Sequence, residues 1–172
     1  MMMRLVIIAC MATFCLAGCT STKRSLAWKS ASASFGENPS FEIMPVVNST
    51  GVTLNEEILT DITRRLKNRF TAENLKVTGA VSTEKRESVS VRSEILQYRF
   101  QYFTGPPPAA GNTSGLCIMR TRLLAKIDGA LLAEVTTFNK LDVGQGMLEA
   151  KDPETLLEKC AKSIAKEVAG LL

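Results

Sequence analysis

Histidine is absent from the 172-residue chain. That removes Ser-His-Asp and Cys-His nucleophilic catalysis and the commonest catalytic zinc sites, all of which need an imidazole. The Ser-Asp-Asn and Lys-Thr-Gly motifs that accompany Ser-x-x-Lys in penicillin-binding enzymes are missing too. Basic residues outnumber acidic ones only 21 to 17, a formal net charge of +4. This is far from the dense basic patch of a nucleic-acid-binding surface. The apolar run Leu5–Leu16 is well short of the roughly 20 residues of a spanning helix.

What that run does have is the form of an export signal. Arg4 is the only charge before Lys23, a short apolar core follows, and small residues close it. The end of the segment, Leu16-Ala17-Gly18-Cys19, resembles the lipobox of bacterial lipoprotein precursors. The resemblance implies that Cys19 is diacylglycerated on sulfur, that the signal peptidase cuts before it, and that acyl chains such as palmitate then hold the chain on a membrane. Ala17 and Gly18 are small enough for the backbone to enter a narrow protease cleft. Acyl chains contribute about 0.8 kcal/mol per buried methylene, and two or more anchor stably. Thr20 after the modified Cys, where Asp would favour inner-membrane retention in Gram-negative sorting, implies the outer membrane facing the periplasm. The three leading methionines leave the start codon open.

Three parts follow from this reading: residues 1–18 a lipoprotein signal peptide, 19–40 a lipidated flexible tether, and 41–172 a periplasmic domain. Removing residues 1–18 leaves 154 of the 172 residues, and a domain near that size buries about 68–70% of its unfolded surface, so it can hold a core without staples. The tether is rich in Ser and Ala with no apolar period. Trp28, the only tryptophan, is either an interfacial residue beside Lys23 and Arg24 or a linker residue docked on the domain.

Phe41–Val47 predicts a strand whose end or edge is marked by Pro45. Thr53-Leu54-Asn55-Glu56 matches a capping box opening a helix with Ile58, Ile62, Leu66 and Phe70 on one stripe. Leu75–Thr78 is a short strand. Val89–Phe103 is a long one whose apolar phase changes near Ile95 and Leu96, which suggests a bulge. Leu116–Asp128 alternates, Asp128-Gly129 signals a tight hairpin, and Ala130–Asn139 returns. Pro153 after Asp152 opens a last helix. The predicted class is α+β: a two-layer sandwich of a mixed, mostly antiparallel sheet with two helices on one face.

The strand–helix–strand opening, the hairpin Asp128–Glu134, the segment Gly144-Gln145-Gly146 and the helix Ala161–Leu172 are similar to a family of small bacterial outer-membrane lipoproteins carrying a domain of unknown function (the 4410 type). The layout is also distantly similar to envelope-assembly lipoproteins. The anchor, the tether, the lack of a catalytic constellation and this resemblance together point to a non-enzymatic periplasmic domain that binds another envelope protein in assembly or scaffolding, with no cofactor. The loop around residues 105–115, with three consecutive prolines, is a first candidate for that contact.

Two alternatives stay open. One is an envelope enzyme using carboxylate or Ser/Lys chemistry. Ser82–Lys85 and Ser163–Lys166 both spell Ser-x-x-Lys, although Ser163 and Lys166 also fit an amphipathic helix. The other is a carrier of an apolar ligand held between helices and sheet. Gly144–Gly146 lacks the Lys and following helix of a phosphate loop. Arg64, Arg65, Lys67 and Arg69 either meet anionic lipid or peptidoglycan or, as the Asp61–Arg65 i,i+4 pair favours, form a solvated helix face. Cys117 and Cys160 each fall on an apolar face, so a disulfide across the helix–sheet interface is possible. It would contribute roughly 3–4 kcal/mol. No metal-ligating set is present.

Overall fold

A computed structural model describes residues 25–78, 88–103, 112–143 and 153–172. Its elements run β1 (Ser25–Lys29), β2 (Ser40–Ile43), β3 (Val47–Asn48), α1 (Glu56–Ala72), β4 (Lys76–Thr78), β5 (Ser88–Phe103), β6 (Asn112–Ala125), β7 (Leu131–Val143) and α2 (Pro153–Ala169). The strands form one sheet in the order β1-β7-β6-β5-β2-β4, with β3 also paired to β5. β2 and β3 run parallel to β5, and β2 parallel to β4; the other pairings are antiparallel. α1 and α2 pack on each other, α2 over β6 and β7 and α1 over β2 and β4. This is the expected α+β arrangement.

Local chemistry explains most of the boundaries. α1 starts two residues later than the capping box predicts. Asn55, not Thr53, is the cap: its backbone is extended and its Oδ1 accepts from the Glu57 N–H at 3.0 Å. Asn caps at least as well as Thr, and its position satisfies a donor of the first turn. The predicted strand Phe41–Val47 is divided around Pro45, because proline offers no N–H to the ladder. The freed Val46 N–H donates to Thr63 Oγ1 on α1 at 3.0 Å. The Asp128-Gly129 turn forms as predicted, with Gly129 at φ 73° and Asp128 Oδ1 accepting from the Ala130 N–H.

The bulge on β5 decides which side chains enter the core. The register shifts between Ile95 and Gln97, so Tyr98 lies opposite Cys117 and Phe100 opposite Gly115. Simple alternation would send Tyr98 and Phe100 to the face opposite Val89, Val91 and Ile95. The extra residue returns them to the same side, where both pack against the buried core. Gly115 makes room there: a Cβ would lie 3.0 Å from Leu156 Cδ2 and 3.3 Å from Leu141 Cβ. The interface between the layers is filled by Ile62, Leu66, Met119, Leu123, Leu156 and Ile164, all fully buried.

One expected segment is different. Residues 19–40 read as a flexible tether, yet Ser25–Lys29 is strand β1, hydrogen-bonded antiparallel to β7 along Ser25–Thr137 through Lys29–Ala133. The pairing covers an edge of β7 that would otherwise expose its backbone groups. Ser25 Oγ donates to Glu167 on α2 at 2.5 Å, and Lys29 Nζ donates to the Leu171 carbonyl at 2.7 Å. Phe35, farther along, is buried against the domain.

Candidate functional site

Several predicted positions fall outside the described residues: the lipobox Leu16, Ala17 and Gly18, the anchor Cys19, Ser82–Lys85, residues 104–111 of the proline loop, and Gly144–Gly146. Cys117 and Cys160 are described, and the structure brings them together. β6 points Cys117 down from the sheet, α2 points Cys160 up, and both are fully buried. They are free thiols, close enough for a hydrogen bond between them. The possible disulfide is therefore not formed in the structure, and the two sulfurs sit in non-bonded contact.

The surroundings suit protonated thiols. Asn139, paired with Cys117 across β6 and β7, lies beside Cys160 and accepts a hydrogen bond from Ser163 Oγ at 2.8 Å. Burial first, and then the Cys117 contact, push the Cys160 thiol well above its ordinary value. Burial likewise raises the neighbouring Tyr98 phenol to about 12. A thiol so shielded is a poor nucleophile, since the thiolate is the reactive form. Neither cysteine of the native protein should react with iodoacetamide, and both should react after unfolding without reductant. Failure to alkylate the unfolded chain would reveal a disulfide instead. Ser163, bonded to Asn139, is likewise part of the packed interface and not of an open cleft.

The basic residues of α1 mostly tie the helices together. Arg65, whose side chain is only 13% exposed, pairs with Asp61 at 2.7 Å, Glu154 at 3.0 Å and Glu158 at 3.1 Å. Arg69 also meets Glu158, and Arg64 meets Asp61. Burial works against ionisation of Asp61 and Glu158, but the guanidinium bonds outweigh it and hold both carboxyls below their ordinary range. The Asp61–Arg65 spacing was readable along the helix. The Glu154 and Glu158 contacts were not, because they join residues some 90 positions apart.

Two surfaces remain. A groove of about 380 Å³ runs between α1 and the β2–β3 connection, lined by Pro45, Val46, Leu59, Thr63, Arg64 and Lys67. Its lining sets Arg64 and Lys67 beside apolar and neutral polar side chains, with no carboxylate. The other surface is the sheet face turned away from the helices. It carries Glu94–Arg120 at 2.8 Å, Arg122–Glu134 at 2.9 Å and Lys126–Glu42 at 2.9 Å. The Arg120 bond, with smaller help from Ser49, keeps the Glu94 carboxyl below its ordinary range despite partial burial. At the β1 side of this face, Leu26, Trp28 and Phe138 are 67%, 52% and 37% exposed.

No family model and no curated protein matches the chain, so the resemblance to the 4410 type is not shown. Solved structures match its fold. PelC from Paraburkholderia phytofirmans, a dodecamer, aligns at 15% identity over 86% of this chain and 95% of its own, with a TM-score of 0.54. Protein XCC0632 from Xanthomonas campestris, of the domain-of-unknown-function 330 family, aligns at 9% identity over 83% and 91%, with a TM-score of 0.53. Lipoprotein GNA1162 from Neisseria meningitidis aligns more loosely, at 10% identity over 77% and 99% and a TM-score of 0.47. At these identities the likeness to PelC and XCC0632 establishes a shared fold and nothing finer.

Proposed function

We propose that this chain is a bacterial envelope lipoprotein, held on the outer membrane by acylated Cys19, whose periplasmic domain binds another envelope protein without catalysing a reaction. The observation that carries this is the placement of the lipobox. Cys19 precedes the first strand of a filled α+β domain with only residues 20–24 between them. A fold held that close to an acyl anchor is positioned to meet partners at the membrane surface.

The two alternatives have less support. An enzyme using carboxylates needs converging acids in a cleft, whereas Asp61, Glu94, Glu134, Glu154 and Glu158 are engaged by arginines. A carrier of an apolar ligand needs an internal cavity, and the space between the layers is occupied by large aliphatic side chains. One specific observation favours self-assembly as the form that partner binding takes: PelC, of similar fold, is a dodecamer.

Crosslinking the anchored protein in intact envelopes, followed by affinity capture, should recover a defined partner that a Cys19→Ala form does not recover. Multiples of the chain's own mass would identify the partner as further copies. Recovery of nothing beyond the monomer would remove the binding function.

A further inference from the structure

The sheet face turned away from the helices has an uneven makeup. Ser25 points towards α2, which its bond to Glu167 fixes, so Leu26 and Trp28, its odd neighbours on a period-two strand, project the other way. Leu26 pairs with Thr136 and Trp28 with Glu134, which places Phe138 on the same face of adjoining β7. Ile118, directly opposite Phe138 on β6, extends the apolar group. Farther across the face the side chains are charged. The row that starts at Trp28 continues through Glu134 and Arg122 to Arg92. Arg92 and Arg99 are exposed and make no ion pair among the described residues.

We propose that this face lies against the membrane, with Leu26, Trp28 and Phe138 seated in the phospholipid headgroup layer and Arg92 and Arg99 turned to lipid phosphates. It is a second attachment that orients the domain, and it rests on the reading of Cys19 as the acylated residue. Chain length argues for lipid as the occupant. Six Cα steps separate Cys19 from Ser25, and at no more than about 3.6 Å each they span roughly 20 Å. Leu26 and Trp28 come immediately after that limit, so the exposed apolar group cannot stand far from the bilayer that holds the acyl chains.

The chemistry agrees. A tryptophan ring combines an apolar body with one N–H donor, which suits the boundary between acyl chains and headgroups. Guanidinium groups bind phosphate by paired, charge-assisted hydrogen bonds. A second copy stacked symmetrically on this face fits less well. A two-fold contact presents the same patch from both sides, so Arg92 and Arg99 of each copy, without ion pairs among the described residues, would be set against the same excess of positive charge.

Trp28 is the only tryptophan, so tryptophan emission, excited at wavelengths tyrosine does not absorb, reports on this face alone. The test uses the lipidated protein purified from membranes and reconstituted in vesicles of phosphatidylethanolamine and phosphatidylglycerol, with nitroxide-labelled headgroups in a parallel set. Relative to the protein in detergent, the emission should shift to the blue, and the nitroxide should quench most of it. Phe138→Glu and Leu26→Glu should each restore emission while circular dichroism shows the fold intact. Emission that is unshifted and quenched by aqueous iodide as fully as in detergent would overturn the proposal. So would a blue shift that grows with protein density and resists nitroxide. The intact mass of the same sample keeps the two ideas apart. A chain without acyl groups overturns the anchor, whereas an acylated chain with an unquenched Trp28 overturns only the membrane-facing sheet.

Discussion

Replacing Phe70 with alanine should lower the unfolding free energy by about 3–5 kcal/mol. Phe70 closes the apolar stripe of α1 and is fully buried, as is Phe41 on β2. Their rings meet edge to face, with centroids 5.7 Å apart and planes at 70°. The truncation removes the packing of the Phe70 ring on both layers, and it also leaves a cavity. That cavity cannot collapse easily, because β2 is hydrogen-bonded to both β4 and β5. For a domain of this size each kcal/mol shifts the midpoint by roughly 2–4 °C, so thermal unfolding should move down by about 10 °C. Lys67→Ala, on the exposed side of the same helix, is the control and should stay within about 0.5 kcal/mol of the parent. A loss at Phe70 no larger than that of the control would mean that α1 does not pack on β2 as described.

Phe70 also shows which parts of the molecule sequence reasoning reaches. Its place on the core stripe follows from local periodicity, as do the Asp128-Gly129 hairpin, Pro153 at the start of α2, and the phase change at Ile95. Each is set by residues within a few positions of one another. Cys117 and Cys160 were legible in the same way, because each lies on the apolar face of its own element, and their contact follows once the layers stack. What escaped was decided across the chain. Ser25–Lys29 has only Leu26 and Trp28 as an alternating apolar pair, and both point away from the core. The strand exists because β7 offers it a free edge, which composition does not reveal. The Arg65 contacts to Glu154 and Glu158 depend likewise on where α2 lands. The capping box at Thr53 failed for a nearer reason: Asn55, inside the same motif, competes for the cap.

The strand that escaped the sequence bears on orientation, and Cys19 bears on attachment. Cys19→Ala should move nearly all of the protein from the membrane to the soluble fraction on ultracentrifugation. Acyl chains contribute about 0.8 kcal/mol per buried methylene. Leu26, Trp28 and Phe138 would contribute at most about 1.5–3 kcal/mol each if wholly buried, and less in the headgroup layer proposed for them. On the proposed reading the chains would dominate attachment, and the side chains would govern orientation. Lengthening the connection separates the two. Inserting about twenty Gly and Ser residues after Thr20 takes the link from about six steps to about twenty-six. The effective concentration of the domain at the surface falls roughly as the −3/2 power of link length, or about ninefold. Membrane fractionation should be unchanged by the insertion, while Trp28 quenching and capture of a surface partner should both drop. Capture that survives the longer link undiminished would place the partner away from the membrane surface, and a short link would then have no role in meeting it.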